Sequence, residues 1–314
     1  MLKGHTGSLE SCEFCVGAEA VQVVTCSSED ATVRLWDLRA RRAVRCFTDA
    51  THASHAVWEA NSIVLGGADG RVSLLDARAG SVVGPAPQLW GCKVGDEVVN
   101  QVHVAGELVY SCADDGRVVC VGLKSGKKRA DAAAGPPAHE SLCTGVASRP
   151  ESKNEFVSVG TDCRLKQWSR TDKSRQLLKS CHFSPAAEEG GSMQLCNPPH
   201  LLSVACDPRG RVAAVAVGDG RVLLWELEKK KVAATLRRHT YSVAMVRWAA
   251  PQLLVSFGND RRALLWRVEP RKAKATAGEP CAEMALESKP DWAAARSDLM
   301  LVAAGKVVHL LPIE

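Results

Sequence analysis

Two stretches of this chain carry the ingredients of a general base and the carboxylate that would orient it. His139, Ser158, Asp162 and Trp168 make one set, and His239, Ser256, Asp260 and Trp266 make the other. An imidazole held by a carboxylate can take a proton from a nearby hydroxyl, which is the chemistry of a catalytic dyad. The recurrence of the set argues the other way, because an active site occurs once. Both sets are therefore read as structural, and no enzymatic activity is expected.

Other reactive side chains are weaker candidates. Cys12-Glu13-Phe14-Cys15 is a lone CxxC on an expected strand, with no second pair at zinc-finger spacing. Cys181-His182 near Cys196 lacks a fourth ligand, so neither site is expected to hold a metal and no cofactor is expected. The basic runs Glu228-Lys229-Lys230-Lys231 and Lys124-Ser125-Gly126-Lys127-Lys128-Arg129 lack the neighbouring aromatics that would stack bases, which argues against nucleic acid. No glycine-rich phosphate loop, nucleophile elbow or metalloprotease helix occurs.

The elements that must position these residues are repeated. An apolar run, a turn containing Asp, a second apolar run and a bulky residue six positions after the Asp occur six times. The pairs are Asp30 and Trp36, Asp69 and Leu75, Asp115 and Val121, Asp162 and Trp168, Asp219 and Trp225, and Asp260 and Trp266. A degenerate seventh copy runs from Ala304 to Leu311. Asp69-Gly70, Asp115-Gly116 and Asp219-Gly220 supply the positive-φ chemistry of hairpin turns, and the flanking Val and Leu suit strands buried on both faces. A second phrase precedes several turns. His5 is followed by Leu9, Cys12 and Phe14, and His239 by Val243, Val246 and Trp248. His139 is followed by Cys143 and Val146.

Composition fits a globular all-β chain. Hydrophobic residues make up 46% and charged residues 24% of the 314, and eight of the few aromatics are Trp. A net charge of +5 is too mild for a non-specific nucleic-acid binder. The thirteen cysteines, mostly in apolar runs, read as reduced small hydrophobes. The start has no signal-peptide pattern and no apolar stretch is long enough to span a membrane, so a cytoplasmic or nuclear location is expected.

The repeat resembles the WD-repeat family, whose units carry Gly-His near the start and Trp-Asp near the end. The resemblance covers essentially the whole chain and implies one seven-bladed β-propeller over residues 1–314. It also implies that His, a strand Ser or Thr, Asp and Trp form a hydrogen-bonded set within a blade. In the first unit Cys26 stands where the Ser is expected, which predicts a weaker network there. Lys306 to Leu311 fits the third strand of the last blade and Met1-Leu2-Lys3 its fourth, so the termini should pair and close the array. Two longer connections, about Cys181 to Pro199 and Glu269 to Glu279, should lie on opposite faces as candidate binding loops.

Two consecutive units end in an acidic-x-Arg phrase: Trp36-Asp37-Leu38-Arg39 and Leu75-Asp76-Ala77-Arg78. The phrase resembles the WDxR box of substrate receptors that dock on the DNA-damage-binding adaptor of cullin-4 ubiquitin ligases. Leu75 departs from the pattern by replacing Trp. The Arg is expected to project from the turn after the third strand, oriented by the nearby Asp, where a planar guanidinium can engage carboxylates and carbonyls. Gln194 to Pro198, Asp291-Trp292, Cys143 to Pro150 and Leu310 to Glu314 add a closer resemblance to one candidate receptor of that class. The expected partners are thus the ligase adaptor, bound through Trp36, Asp37, Arg39, Asp76 and Arg78, and an unidentified client, with the protein monomeric within the complex. The competing reading is a scaffold or peptide-tail reader unconnected to ubiquitin.

Overall fold

In the computed structural model every described residue lies in strands, turns or connecting segments, and the strands pair into seven sheets, antiparallel but for one edge pairing. The described residues are 1–15, 22–50, 52–59, 61–79, 81–85, 87–129, 136–152, 154–171, 174–184, 199–269, 274–275 and 279–313. Most of the two long connections, the run Gln194 to Pro198, and Glu314 lie outside them.

The chain divides into two compact units, Met1–Pro136 with Asp291–Glu314, and Pro137–Pro290. In the first unit, blade 1 is Ser11–Phe14, Gln22–Ser27, Thr32–Asp37 and Arg42–Thr48. Blade 2 is Ala53–Glu59, Ser62–Gly67, Arg71–Asp76 and Gln88–Lys93, and blade 3 is Val99–Ala105, Leu108–Ala113 and Val118–Gly122. Blade 7 is Trp292–Arg296, Leu299–Ala304 and Val307–Pro312, with Leu2–Lys3 as its outermost strand. Leu2 pairs Val308 and Lys3 pairs Val307, so the expected pairing of the two chain ends in one blade is present. Blade 1 has an unexpected fifth strand, Val83–Pro85, which leaves blade 2 and pairs in parallel with Cys46–Thr48.

The second unit holds blade 4 (Cys143–Ser148, Glu155–Gly160, Arg164–Arg170, Arg175–His182) and blade 5 (Leu201–Cys206, Val212–Val217, Arg221–Glu226, Lys231–Arg237). Blade 6 is Val243–Ala250, Leu253–Gly258, Arg262–Glu269 and Ala282–Ala285.

Alternation along a strand explains how blades stack. Side chains on successive strand residues point to opposite faces. In Val212–Val217 all six residues are buried. Ala213, Val215 and Val217 pack with blade 4 residues such as Val157, Val159 and Leu165. Val212, Ala214 and Ala216 pack with blade 6 residues Val243, Val246 and Leu254. A strand apolar on both faces is what a blade interior requires, because water reaches neither side. The outermost strand of the same blade, Lys231–Arg237, has only Leu236 buried.

Leu2 shows what blade 7 gains from its N-terminal strand. It is 1% exposed and packs with Leu9, Val23, Trp36, Leu301 and Val308. Truncating a buried leucine removes its transfer energy and leaves a cavity. Leu2→Ala should therefore lower unfolding stability in urea by about 2–4 kcal/mol. Exposed Met1→Ala should leave it within about 0.5 kcal/mol.

Candidate functional site

Each Asp turn closes by the same bond, from the N–H of the residue after the Asp to the carbonyl three residues back. Ala31 N bonds Ser28 O, Gly70 N bonds Gly67 O, Gly116 N bonds Ala113 O, Cys163 N bonds Gly160 O, Gly220 N bonds Val217 O and Arg261 N bonds Gly258 O. That donor residue is left-handed in all six, with φ from 55° at Ala31 to 87° at Gly220. Blades 2, 3 and 5 put Gly there, as their Asp-Gly pairs predict. Blades 1, 4 and 6 put Ala31, Cys163 and Arg261 there, and these are the blades with a histidine on the turn.

The two sequence-predicted sets assemble. His139 Nδ1 lies 2.9 Å from Asp162 Oδ1 and Nε2 lies 2.8 Å from Ser158 Oγ, which also accepts the Trp168 indole N–H at 2.9 Å. His239 repeats this with Asp260 at 3.0 Å, Ser256 at 2.8 Å and Trp266 donating at 2.8 Å. Blade 1 holds an equal third copy and corrects the expectation about Cys26. His5 Nδ1 is 2.7 Å from Asp30 Oδ2, and both His5 Nε2 (2.8 Å) and Trp36 Nε1 (2.7 Å) reach Thr25 Oγ1. The turn of blade 1 has one more residue between strand and Asp, so the hydroxyl lies five residues before the Asp instead of four. Cys26 faces the other way, 3.1 Å from Ser11 Oγ.

Burial and charge act against each other on these rings. Burial disfavours the imidazolium more than the facing Asp favours it in blades 1 and 6, so His5 and His239 sit below the usual imidazole value. Nδ1–H is then donated to Asp, and Nε2 accepts the hydroxyl hydrogen. Burial opposes the charge on His139 too, but Asp162 and Cys143 outweigh it and carry the ring up to about 9. Burial pushes Asp30 up, but bonds from Thr32, the Thr6 N–H and His5 hold its carboxyl below the usual range. Asp162 is held low in the same way by His139 and the Glu140 and Arg164 N–H groups. In all three sets the polar groups are consumed by one another behind a buried indole, an arrangement for holding turns rather than for reaching a substrate.

Blade 5 lacks the hydroxyl, and blade 4 replaces it. Trp225 of blade 5 donates to Oε1 of buried Gln167 in blade 4 at 3.0 Å, and Gln167 Nε2 donates to Leu227 O at 2.9 Å. Sequence reading missed Gln167, because nothing in the repeat marks that position.

The acidic-x-Arg phrases form two matching turns on adjacent blades. Asp37 Oδ1 accepts the N–H groups of Arg39 (2.7 Å) and Ala40 (3.1 Å), and Asp76 Oδ1 accepts those of Arg78 (2.9 Å) and Ala79 (3.4 Å). These bonds hold both carboxyls below their usual value. Asp therefore fixes the turn backbone first, and only Asp76 also nears its arginine, at 3.9 Å from Arg78 Nε. Arg39 and Arg78 are both exposed. Trp36 is not: it is 2% exposed with its indole N–H on Thr25, so it supports the turn from inside instead of meeting a partner. Arg45, on the outer strand of blade 1, donates to Arg78 O (2.9 Å) and Ala79 O (3.1 Å) in the blade 2 turn.

Cys12 and Cys15 are buried, and no group of three metal-ligating side chains occurs among the described residues; Cys196 lies outside them. No helix among the described residues is long and apolar enough to cross a membrane.

Comparison with known proteins agrees with this architecture. The family profile described as "WD domain, G-beta repeat" matches residues 1–37. The WD repeat-containing protein 53 homolog of Dictyostelium discoideum is 22% identical over 260 residues, covering 76% of this chain and 70% of that protein. The closer resemblance read from the sequence was to WD repeat-containing protein 53, in line with this relative. The crystal structure of the WD40 β-propeller domain of Doa1 is similar with a TM-score of 0.76 at 16% identity, covering 98% of this chain and 94% of that one. The fold is that of a seven-bladed WD-repeat β-propeller.

Two measurements check the turn sets. Thr25→Val keeps the shape but leaves His5 Nε2 and Trp36 Nε1 unpaired, and should cost about 1–3 kcal/mol in urea unfolding. Cys26→Ser should bring no gain; a gain there with a neutral Thr25→Val would contradict the register. The aspartate contribution also has a pH signature. A carboxyl lowered in the folded state stabilises above its unfolded value, near 3.8, and that contribution is lost as pH falls through the lower folded value. Acid titration of stability should thus show a shallower loss for Asp30→Asn than for the parent protein below about pH 4.

Proposed function

We propose that this WD-repeat propeller acts as one domain over residues 1–314, a non-enzymatic interaction scaffold that recruits substrates to a cullin-4 ubiquitin ligase. Arg39 and Arg78 dock on the DNA-damage-binding adaptor of the ligase, with Asp37 and Asp76 shaping the turns that present them. The client is held elsewhere on the propeller, and the working location is the cytoplasm or nucleus.

The observation that carries this reading is the pair of matched turns. Two exposed guanidinium groups stand on adjacent blades, each on a turn capped by its own carboxylate, and Arg45 of blade 1 braces the blade 2 turn. A surface arginine on a loose loop loses conformational entropy on binding, whereas one on a fixed turn loses less. A planar five-donor group can then bond carboxylates and carbonyls of a partner in bidentate fashion.

Binding of the purified adaptor to the intact protein tests the proposal. Arg39→Ala with Arg78→Ala should weaken binding at least about 100-fold, as losing two interface arginines of hot-spot weight would, while thermal unfolding stays unchanged. Undiminished binding by the folded double variant would overturn the site, and no binding by the parent protein would overturn the ligase reading.

A further inference from the structure

Blade 2 lacks the histidine, hydroxyl and tryptophan of blades 4 and 6, and a cleft opens where they would lie. One bond aligns the three blades: Thr161 N–H donates to Leu142 O, Asn259 N–H to Ser242 O and Ala68 N–H to His52 O. Three positions before those carbonyls stand His139, His239 and, in blade 2, Asp49. The hydroxyl position, held by Ser158 and Ser256, is Leu65 in blade 2, and the indole position is Leu75. Blades 4 and 6 fill the space with the imidazole. A Cβ on Gly160 would strike the His139 ring, and one on Gly258 the His239 ring. At Gly67, their counterpart, the nearest atoms belong to Asp69 and Arg71 instead.

The result is a cleft of about 310 Å³ between blades 1 and 2. Phe47, Leu65, Leu75 and Pro85 give it apolar walls, and Asp49 and Asp69 are its carboxylates. Asp69 accepts Arg71 N–H at 3.2 Å and lies 3.6 Å from Arg71 Nε, so its charge is balanced within the turn. Lys93, just beyond, donates to Asp69 O at 2.8 Å and lies 3.3 Å from Asp96. Asp49 is exposed and has no side-chain hydrogen bond or ion pair among the described residues. Val83 and Leu89 stand exposed on the strands that flank the cleft, as apolar surface for a partner to cover.

We propose that this cleft takes an arginine side chain, flanked by apolar residues, from a protein partner. Blades 4 and 6 show what the space accepts: a flat nitrogen-bearing group that directs an N–H at the turn aspartate. A guanidinium is flat, carries N–H donors in a rigid fork and brings the positive charge that Asp49 leaves uncompensated. Its aliphatic stem suits the apolar walls. The proposal is independent of ligase docking, since neither Arg39 nor Arg78 lines the cleft.

Methyl NMR of the full chain titrated with the capped tripeptide N-acetyl-Leu-Arg-Leu-amide tests it. Analogues with lysine, or with citrulline as the neutral isostere, replace arginine for comparison. The arginine peptide should shift the Leu65 and Leu75 methyl signals and saturate with a Kd of about 0.1–1 mM. The citrulline peptide should bind at least about tenfold more weakly and the lysine peptide at least about threefold. Asp49 adopts φ 64°, which asparagine also tolerates. Asp49→Asn should therefore weaken the arginine peptide as much as citrulline does, with an unchanged unfolding midpoint. Citrulline or lysine binding as tightly as arginine, undiminished binding by the folded variant, or unmoved Leu65 and Leu75 methyls at 5 mM peptide (~five times the weakest Kd expected) would each overturn it.

Discussion

A buried imidazole wedged between an Asp turn and a strand hydroxyl is the interaction on which most of this structure depends. Hairpins stacked face to face have no intrinsic reason to keep their turns in register with their interiors. His5, His139 and His239 supply that link, each reaching an aspartate with one ring nitrogen and a hydroxyl shared with an indole with the other. The consequence is visible in the turns. Left-handed backbone disfavours residues with a Cβ. The blades whose Asp is tethered by His hold Ala31, Cys163 and Arg261 in that conformation, and the untethered blades use Gly70, Gly116 and Gly220. A tether to a buried ring over-determines the turn and offsets the strain that glycine otherwise avoids.

The fold was largely legible because its repeat is enforced by this geometry. An Asp six positions before a bulky residue is the distance from turn to core, so even Leu75 and Val121 keep the offset without the indole. Closure was legible for the same reason, since Leu2 and Lys3 fall where a fourth strand is missing. Three features were not. Thr25 was overlooked because one added turn residue shifts the hydroxyl without changing the Asp-to-Trp count. Gln167 serves a tryptophan in the next blade, a relation 58 residues apart along the chain that no local pattern records. The parallel strand Val83–Pro85 follows from chain routing between blades, not from strand periodicity.

The same division separates scaffold from binding surface. Histidines and aspartates, the residues most suggestive of catalysis in the sequence, are consumed inside the blades. At the opposite strand ends the exposed Arg39 and Arg78 stand on turns whose carboxylates bond backbone N–H groups first. Asp37 caps Arg39 and Ala40, and Asp76 caps Arg78 and Ala79. The acidic member of the Asp-x-Arg phrase was legible, but its main task, capping the turn, becomes clear only from distances. Trp36 contributes from behind, through the core.

Hydrogen exchange of the protein with and without the purified ligase adaptor tests the central claim, that the capped turns of blades 1 and 2 form the docking surface. The account predicts slowed exchange at the backbone N–H groups of Arg39, Ala40, Arg78 and Ala79 in the complex, with the tethered Asp turns of blades 4 and 6 unchanged. Protection confined to those Asp turns, with Arg39 and Arg78 exchanging as in the free protein, would contradict it.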